Sequence, residues 1–461
     1  MRTTRLMLAR ALFSAAAATL ATANAAAQES LPPPSPRATP PAQRVLPLAE
    51  VERSALQVQP LLLAARANTN VAVALAEQQR APLLPQVIGS AAYTRETANI
   101  QPRPGFTSPT GTPTSVPTGG SLFSTSYDYF QFGITATQLI YDFGQTSNRY
   151  DAAKLNADSQ RYAEQTTRLT ILLNVRRAYF AARANKELVD VAKETLDDQN
   201  KHLAQVQGMV TVGTQPPIAL AQQKAAVANA VVQVIQAQNN YETSKAQLNQ
   251  AAGMPGGTDY DVSDQDMPVV SDEDQPLETL MAKAVAARPE IATLIKQHDA
   301  AEATLSSAKG TYGPSIAAAG SVTDYGTNLG QLVPDWAIGV TATWPLFQGG
   351  LTKGLVHQAD ANIEYVDSQK AVEELQVRLD VDSARLAVRA AKATTGAVED
   401  ALTSAREQLR LAEQRYATGV GNIIELNDAQ VAYTTAAAQV VSARYTLATA
   451  RAQFLAAMGR T

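Results

Sequence analysis

Residues in this chain keep matching others 206 positions further on, and that repeat limits the fold more than any other feature. Gly133 aligns with Gly339, Thr135 with Thr341, Gly144 with Gly350, Gly213 with Gly419, Ile218 with Ile424, Leu220 with Leu426 and Gly253 with Gly459. No gap is needed between positions 133 and 253. Upstream the separation becomes 229: Leu48 matches Leu277, Ala55 matches Ala284, Pro60 matches Pro289 and Pro85 matches Pro314. A long internal period means one structural unit made twice. The change from 229 to 206 is extra length in one loop of the first copy.

Each copy contains an alternating segment that runs into a very long helix. Trp336, Ile338, Val340, Ala342 and Trp344 fall on one face at a period of two, with Ala337, Gly339, Thr341 and Thr343 on the other. Phe130, Phe132, Ile134 and Ala136 repeat the apolar face, and Gln131, Gly133, Thr135 and Thr137 the polar one. Apolar outside, small and polar inside, with aromatics near the ends, suits a transmembrane β-strand, although a half-buried soluble strand alternates in the same way. Which face meets lipid is left open by the alternation.

After Gly144 there is no proline or glycine until Gly208, so one helix from Asp142 to about Gln207 is expected, about 100 Å long. Leu196, Leu203 and Val210 recur every seven residues, as do Leu402, Leu409 and Tyr416, which predicts coiled-coil packing. A turn at Gly213 to Pro217 leads into a helix over 218–252. Helical sequence over 48–81, broken before Pro60, precedes a first strand at 84–94; residues 95–126, rich in Pro, Gly, Ser and Thr, read as a long exposed loop.

The expected fold is mixed and mainly α: a duplicated helix-strand-strand-helix unit with four strands per chain. Residues 1–27 read as a signal peptide, with Arg2, Arg5 and Arg10 before an apolar run and small residues at 25–27. Residues 28–45 form a proline-rich lead, 46–253 the first repeat and 276–461 the second. Between the repeats, 254–275 carries seven acids and no base and reads as a solvated acidic connector; its acid spacing lacks the glycine and closing glutamate of a calcium loop. No later stretch has the roughly 20 apolar residues of a spanning helix, so any membrane crossing must use strands in an outer membrane. Four strands are too few for a barrel, so the chain must oligomerise; three copies would give twelve strands.

Composition supplies exclusions. There is no cysteine, hence no disulfide, thiolate metal site or lipid-bearing N-terminal cysteine, and a net charge of −4 offers no footprint for nucleic acid. His202, His298 and His357 stand singly on helical stretches and read as solvated-face residues. With no nucleophile elbow, phosphate loop or metal cluster, neither an enzyme nor a cofactor or metal is expected.

The motifs LIYDFG at 139–144 and PLFQGG at 345–350, the LPLAE opening at 46–50, and YATGVGNIIELNDA at 416–429 resemble the TolC family of outer-membrane efflux ducts, over about residues 46–460. The resemblance implies a homotrimer in outer-membrane lipid, with a twelve-stranded β-barrel and a coiled-coil α-barrel through the periplasm. A periplasmic adaptor (membrane fusion) protein and an inner-membrane pump are the implied partners. The implied activity is that of a passive conduit for small molecules or proteins in tripartite efflux or type I secretion. A trimeric coiled-coil stalk or adhesin with a barrel anchor is the alternative, and strands in the middle of each half argue against it.

Carried over by motif, Glu425 and Asp428 would form an acidic ring at the periplasmic aperture, where six carboxylates favour cations. Asn422 followed by Glu425 is also a helix-capping pair, and Asp428 also reads as a solvated helix face. Tyr416 matches a tyrosine that holds the aperture shut, or it is a heptad core position. Gly213 and Gly419 would mark the adaptor-docking turns, where chain reversal needs glycine anyway. Gly421 stands where some members have an arginine and Ala219 where the first half often has an acid, so a differently made latch is expected.

Overall fold

The computed structural model describes residues 44–97 and 126–460; the expected signal peptide, most of the proline-rich lead and the loop over 98–125 lie outside the described residues. The chain runs β1 (Arg44–Leu46), α1 (Leu48–Val58), α2 (Pro60–Arg80), β2 (Gln86–Thr97), β3 (Ser126–Tyr141), α3 (Gln145–Thr211) and α4 (Pro217–Ala252). It continues through β4 (Tyr260–Val262), α5 (Leu277–Ala287), α6 (Pro289–Gly310), β5 (Ser315–Gly326), β6 (Val333–Thr343), α7 (Leu351–Ala417) and α8 (Ile423–Ala457). Elements α3 and α7 are each 67 residues long and begin 206 positions apart. The duplication read from the sequence thus sets the element order.

Two shorter helices run along each long one. Both α2 and α4 pack against α3, and both α6 and α8 pack against α7, while α6 and α8 also lie on α3. The break before Pro60 is where α4 meets α2: Gln59, at the start of α2, donates from Nε2 to the carbonyls of Ala251 at 2.8 Å and Gln250 at 3.2 Å, the last turn of α4. Gly253 closes that turn with φ 66°, and a Cβ there would sit 2.8 Å from Gln59 Cα, so glycine answers two constraints together. Proline supplies the first residue of α2, α4 and α6, where a missing N–H costs nothing.

The four long strands form one antiparallel sheet in the order β2-β3-β5-β6, leaving β2 and β6 as its edges. Side chains paired across the ladder share a face. Register places Trp336, Val322, Ile134 and Gly89 in one row, with Phe132 and Ala91, then Phe130 and Tyr93, further along the same face. The opposite face carries Asp335, Thr323, Gly133 and Ser90 in one row and Ala337, Ser321 and Thr135 in the next, alongside Ile88. Trp336, Ile338 and Val340 are 74%, 81% and 68% exposed, so no part of the described chain covers the apolar face. A register shift between Leu139 and Tyr141 ends the β3–β5 ladder where strand turns into helix. At that turn Phe143 and Gly144 take φ of 56° and 83°; the second copy uses glycine at both equivalent places, Gly349 and Gly350.

The sequence missed β1 and β4, three-residue strands that pair in parallel and raise the described strands above the four expected. They mark the main departure from expectation: residues 254–275 are partly packed, with Asp259, Asp264, Asp266 and Asp274 exposed as a solvated connector would have them and other positions anchored on the helices. Tyr260, Val262, Met267 and Val270 are buried, as are Asp272 and Glu273. The bases that the segment lacks come from elsewhere. Arg183 and Lys186 of α3 reach Asp266, Asp261 and Asp264 at 2.5 to 3.1 Å. Lys392 of α7 and Arg451 of α8 reach Glu273 at 2.5 and 3.1 Å, and Arg460 and Lys283 reach Asp272 at 2.6 and 3.4 Å. Burial opposes the charge of Glu273, yet the hydrogen bonds from Lys392 and Arg451 outweigh it and hold the carboxyl below the usual range.

Candidate functional site

The singled-out residues gather at two helix-turn-helix tips, one joining α3 to α4 and the other α7 to α8. Gly213 and Gly419 adopt φ of 80° and 79°. Each donates its N–H to the carbonyl three residues back, Val210 or Tyr416, and the next residue donates five back, Thr214 to Met209 and Val420 to Arg415, at 2.9 to 3.1 Å. This arrangement satisfies the last carbonyls of a helix and requires a left-handed residue at the turn.

The tips start their next helices differently. Pro216 and Pro217 lead into α4, whereas Asn422 caps α8 by accepting the Ile424 N–H at 3.1 Å. Glu425 does not complete the reciprocal half of that cap; its carboxylate pairs with Arg415 Nε across the turn at 3.2 Å. Sequence reasoning missed Arg415, although its place beside Tyr416, at the end of one helix of the hairpin, offered the signal. Asp428 is exposed on α8 and has no ion-pair partner among the described residues.

Tyr416 is 1% exposed, among Val206, Ala219, Leu409, Ala412, Ile423 and Leu426, which draws both tips into one apolar cluster. Its hydroxyl has no hydrogen-bond partner, and burial raises its pKa. Ala219 lies in the same cluster at 2% exposure, so an acid there would be stripped of water; the equivalent residue of the second tip, Glu425, is exposed. At Gly421 a Cβ would fall 2.8 Å from Tyr416 N and 2.9 Å from the Arg415 carbonyl carbon, while its own N–H donates to Arg415 O at 2.8 Å. An arginine would not fit that backbone.

The histidines divide. His357 is exposed as expected and His298 is half-buried, its Nε2 3.5 Å from Asp367 Oδ1. His202 corrects the solvated-face expectation at 6% exposure, because α3 is covered by shorter helices from both copies and keeps little free surface.

The family model described as outer membrane efflux protein matches residues 51–254 and 280–460. The toluene efflux pump outer membrane protein TtgF of Pseudomonas putida is 26% identical over 367 residues, covering 74% of this chain and 71% of that one. The outer membrane protein TolC of Vibrio cholerae is 25% identical over 413 residues, covering 86% and 87%. Among solved structures, the outer membrane protein VceC of Vibrio cholerae superposes with a TM-score of 0.75 at 18% identity, over 90% of this chain and 96% of that one. Matched in both of its halves, this chain belongs to the outer membrane efflux protein family.

Proposed function

We propose that three copies of this outer-membrane exit channel close a twelve-stranded barrel and continue below it as a helical tunnel sealed at the tips. The observation that carries the proposal is the sheet: a mainly apolar face built around Trp336, Val322, Ile134 and Phe132 and interrupted by Asp324, an opposite face of mostly small and polar residues, and two unpaired edges. A four-stranded sheet cannot close on itself in lipid, and an open edge there is untenable. Its apolar face would meet lipid and its polar face the water-filled lumen. The helices leave matching borders: Tyr365, Val372, Leu375 and Leu379 are exposed on α7, and Leu61, Val71 and Leu75 on α2 with Ile235 on α4. Joining α7 of one copy to α2 and α4 of the next would cover both.

The channel is a transport conduit of efflux systems, and its family associates with an adaptor and an inner-membrane pump. Cargo choice is assigned to the pump. At the tips, Glu425 and Asp428 would form the acidic ring, and Tyr416 would latch it by packing, since its hydroxyl has nothing to hold. The Arg415–Glu425 pair would take the place of the arginine missing at 421. Val212, Ile218, Val420 and Ile424 are 74%, 64%, 73% and 57% exposed around Gly213 and Gly419, an apolar surface suited to adaptor contact.

Electron microscopy of the detergent-purified protein is expected to show three-fold particles with a helical tube about 100 Å long below a barrel; any other symmetry overturns the assembly. In planar bilayers, Glu425→Ala with Asp428→Ala is expected to weaken cation preference and divalent block. Unchanged values would remove these residues from the aperture.

A further inference from the structure

Besides Tyr416 and Tyr433, the tips hold a buried titratable side chain that the acidic ring leaves unused. His202 is 6% exposed on α3, and its Nε2 has no hydrogen-bond partner. Facing it from α7 is Glu413, whose Oε1 lies 3.7 Å from that nitrogen, too far for a hydrogen bond and near enough for an ion pair. Here Val206 and Met209 of α3 meet Leu409, Ala412 and Tyr416 of α7 in the cluster that joins the two tips.

The other charged groups around this contact are held elsewhere or point outward. On α3, Lys201 pairs with Asp197 and Asp198, and Glu194 accepts a hydrogen bond from the Tyr433 hydroxyl of α8. On α7, Arg410 pairs with Glu407, Arg406 lies over the Tyr433 ring and Arg415 holds Glu425. The α4 side presents Gln223, bonded to Gln199, with Lys224 exposed; on α8, Asp428 is exposed. Glu413 is therefore the acid available to His202.

At 3.7 Å neither tautomer of a neutral imidazole hydrogen-bonds that carboxylate and the buried nitrogen stays unsatisfied; a neutral Nε2–H drawn closer could donate, but without the added attraction of charge. Protonation makes both ring nitrogens donors and adds a charge, so a small movement of α7 toward α3 yields a charge-assisted hydrogen bond. Protonation and closure thus favour one another.

We propose that His202 and Glu413 form a proton-operated brace between α3 and α7 that draws the channel tip closed in acid, a proposal that rests on reading these tips as the aperture. The test uses the mature full-length protein, with two readouts between about pH 8 and pH 5, the interval in which histidines change charge. Single-channel conductance reports the aperture, and hydrogen exchange over 199–209 and 405–417 reports the helix contact. Wild type is expected to lose conductance and gain protection as pH falls. His202→Gln and Glu413→Gln should abolish both changes, leaving conductance high; His202→Lys, a permanent cation, should keep conductance low throughout. Acid closure that survives in His202→Gln overturns the proposal and assigns the titration to carboxylates such as Glu425 and Asp428. Protection that follows His202 while conductance stays flat overturns the gating role together with the placement of the aperture here. If neither readout responds in wild type, the brace is overturned and the aperture reading stands on the ring variants.

Discussion

The packed segment between the two repeats and the paired tips both bury polar side chains, and they treat them in opposite ways. In the first, Glu273 is 2% exposed and meets both Lys392 and Arg451, and Asp272 meets Arg460 and Lys283. These pairs tie the segment to α5, α7 and α8. At the tips, Gln430 is 1% exposed with neither its amide nitrogen nor its oxygen bonded, and the Tyr416 hydroxyl, His202 Nε2 and Asn427 Oδ1 also lack partners. Buried groups left unpaired weaken the arrangement that contains them, whereas a paired charge cluster resists disruption. The segment between the repeats thus holds its buried acids in ion pairs, whereas the tips leave several buried polar atoms without a partner.

Substitutions can break that contrast, beginning with the largest effect. Glu273→Gln takes the buried acid from Arg451, which is largely shielded, and from Lys392, which is a third exposed and keeps Asp274; it is expected to lower stability by about 2 kcal/mol in denaturant unfolding; a loss as small as that of a surface pair would erase the distinction. Acid should act on the same cluster. The Asp272 and Glu273 carboxyls titrate below their ordinary values, so the stability they add is present above about pH 4 and lost as pH falls toward their folded values. Thermal unfolding from pH 7 down to pH 3 should therefore show the connector losing protection in acid.

Gly421→Ala forces a Cβ against the Arg415–Tyr416 backbone and should destabilise the second tip by about 1–3 kcal/mol, read as faster hydrogen exchange over 415–423. The equivalent change in the first tip, Gln215→Ala, serves as control. Gln430→Leu removes a buried amide with no partner and should raise stability by about 1 kcal/mol, making the tip behave more like the middle. A loss there would mean that the amide has a partner in the assembled channel. Arg415→Ala is expected to change unfolding by less than about 1 kcal/mol, because both members of its pair are about half exposed.

Much of this arrangement is legible in the sequence because it depends on local chemistry. The absence of glycine and proline between Gly144 and Gly208 allows one 67-residue helix, and Gly213 and Gly419 end the long helices where the repeat places them. Alternation assigned the side chains of β3 and β6 to two faces. The candidate site was legible in part: Gly213, Gly419, Tyr416, Glu425 and Asp428 do converge on the tips, but Arg415, and the pairing of His202 with Glu413, join residues of separate segments.

What the sequence determined by itself was the repeat, the length of its helices and the two-faced strands, since propensity, period and turn chemistry act over a few neighbouring residues. Tertiary structure alone decided the fate of charge. It tied the acidic segment to the helices by bringing Arg183, Lys186, Lys392, Arg451 and Arg460 to it, burying Asp272 and Glu273, and it buried His202 under helices from both copies. The energy of a charge depends on the groups within a few ångströms of it, and here those groups are far away along the chain.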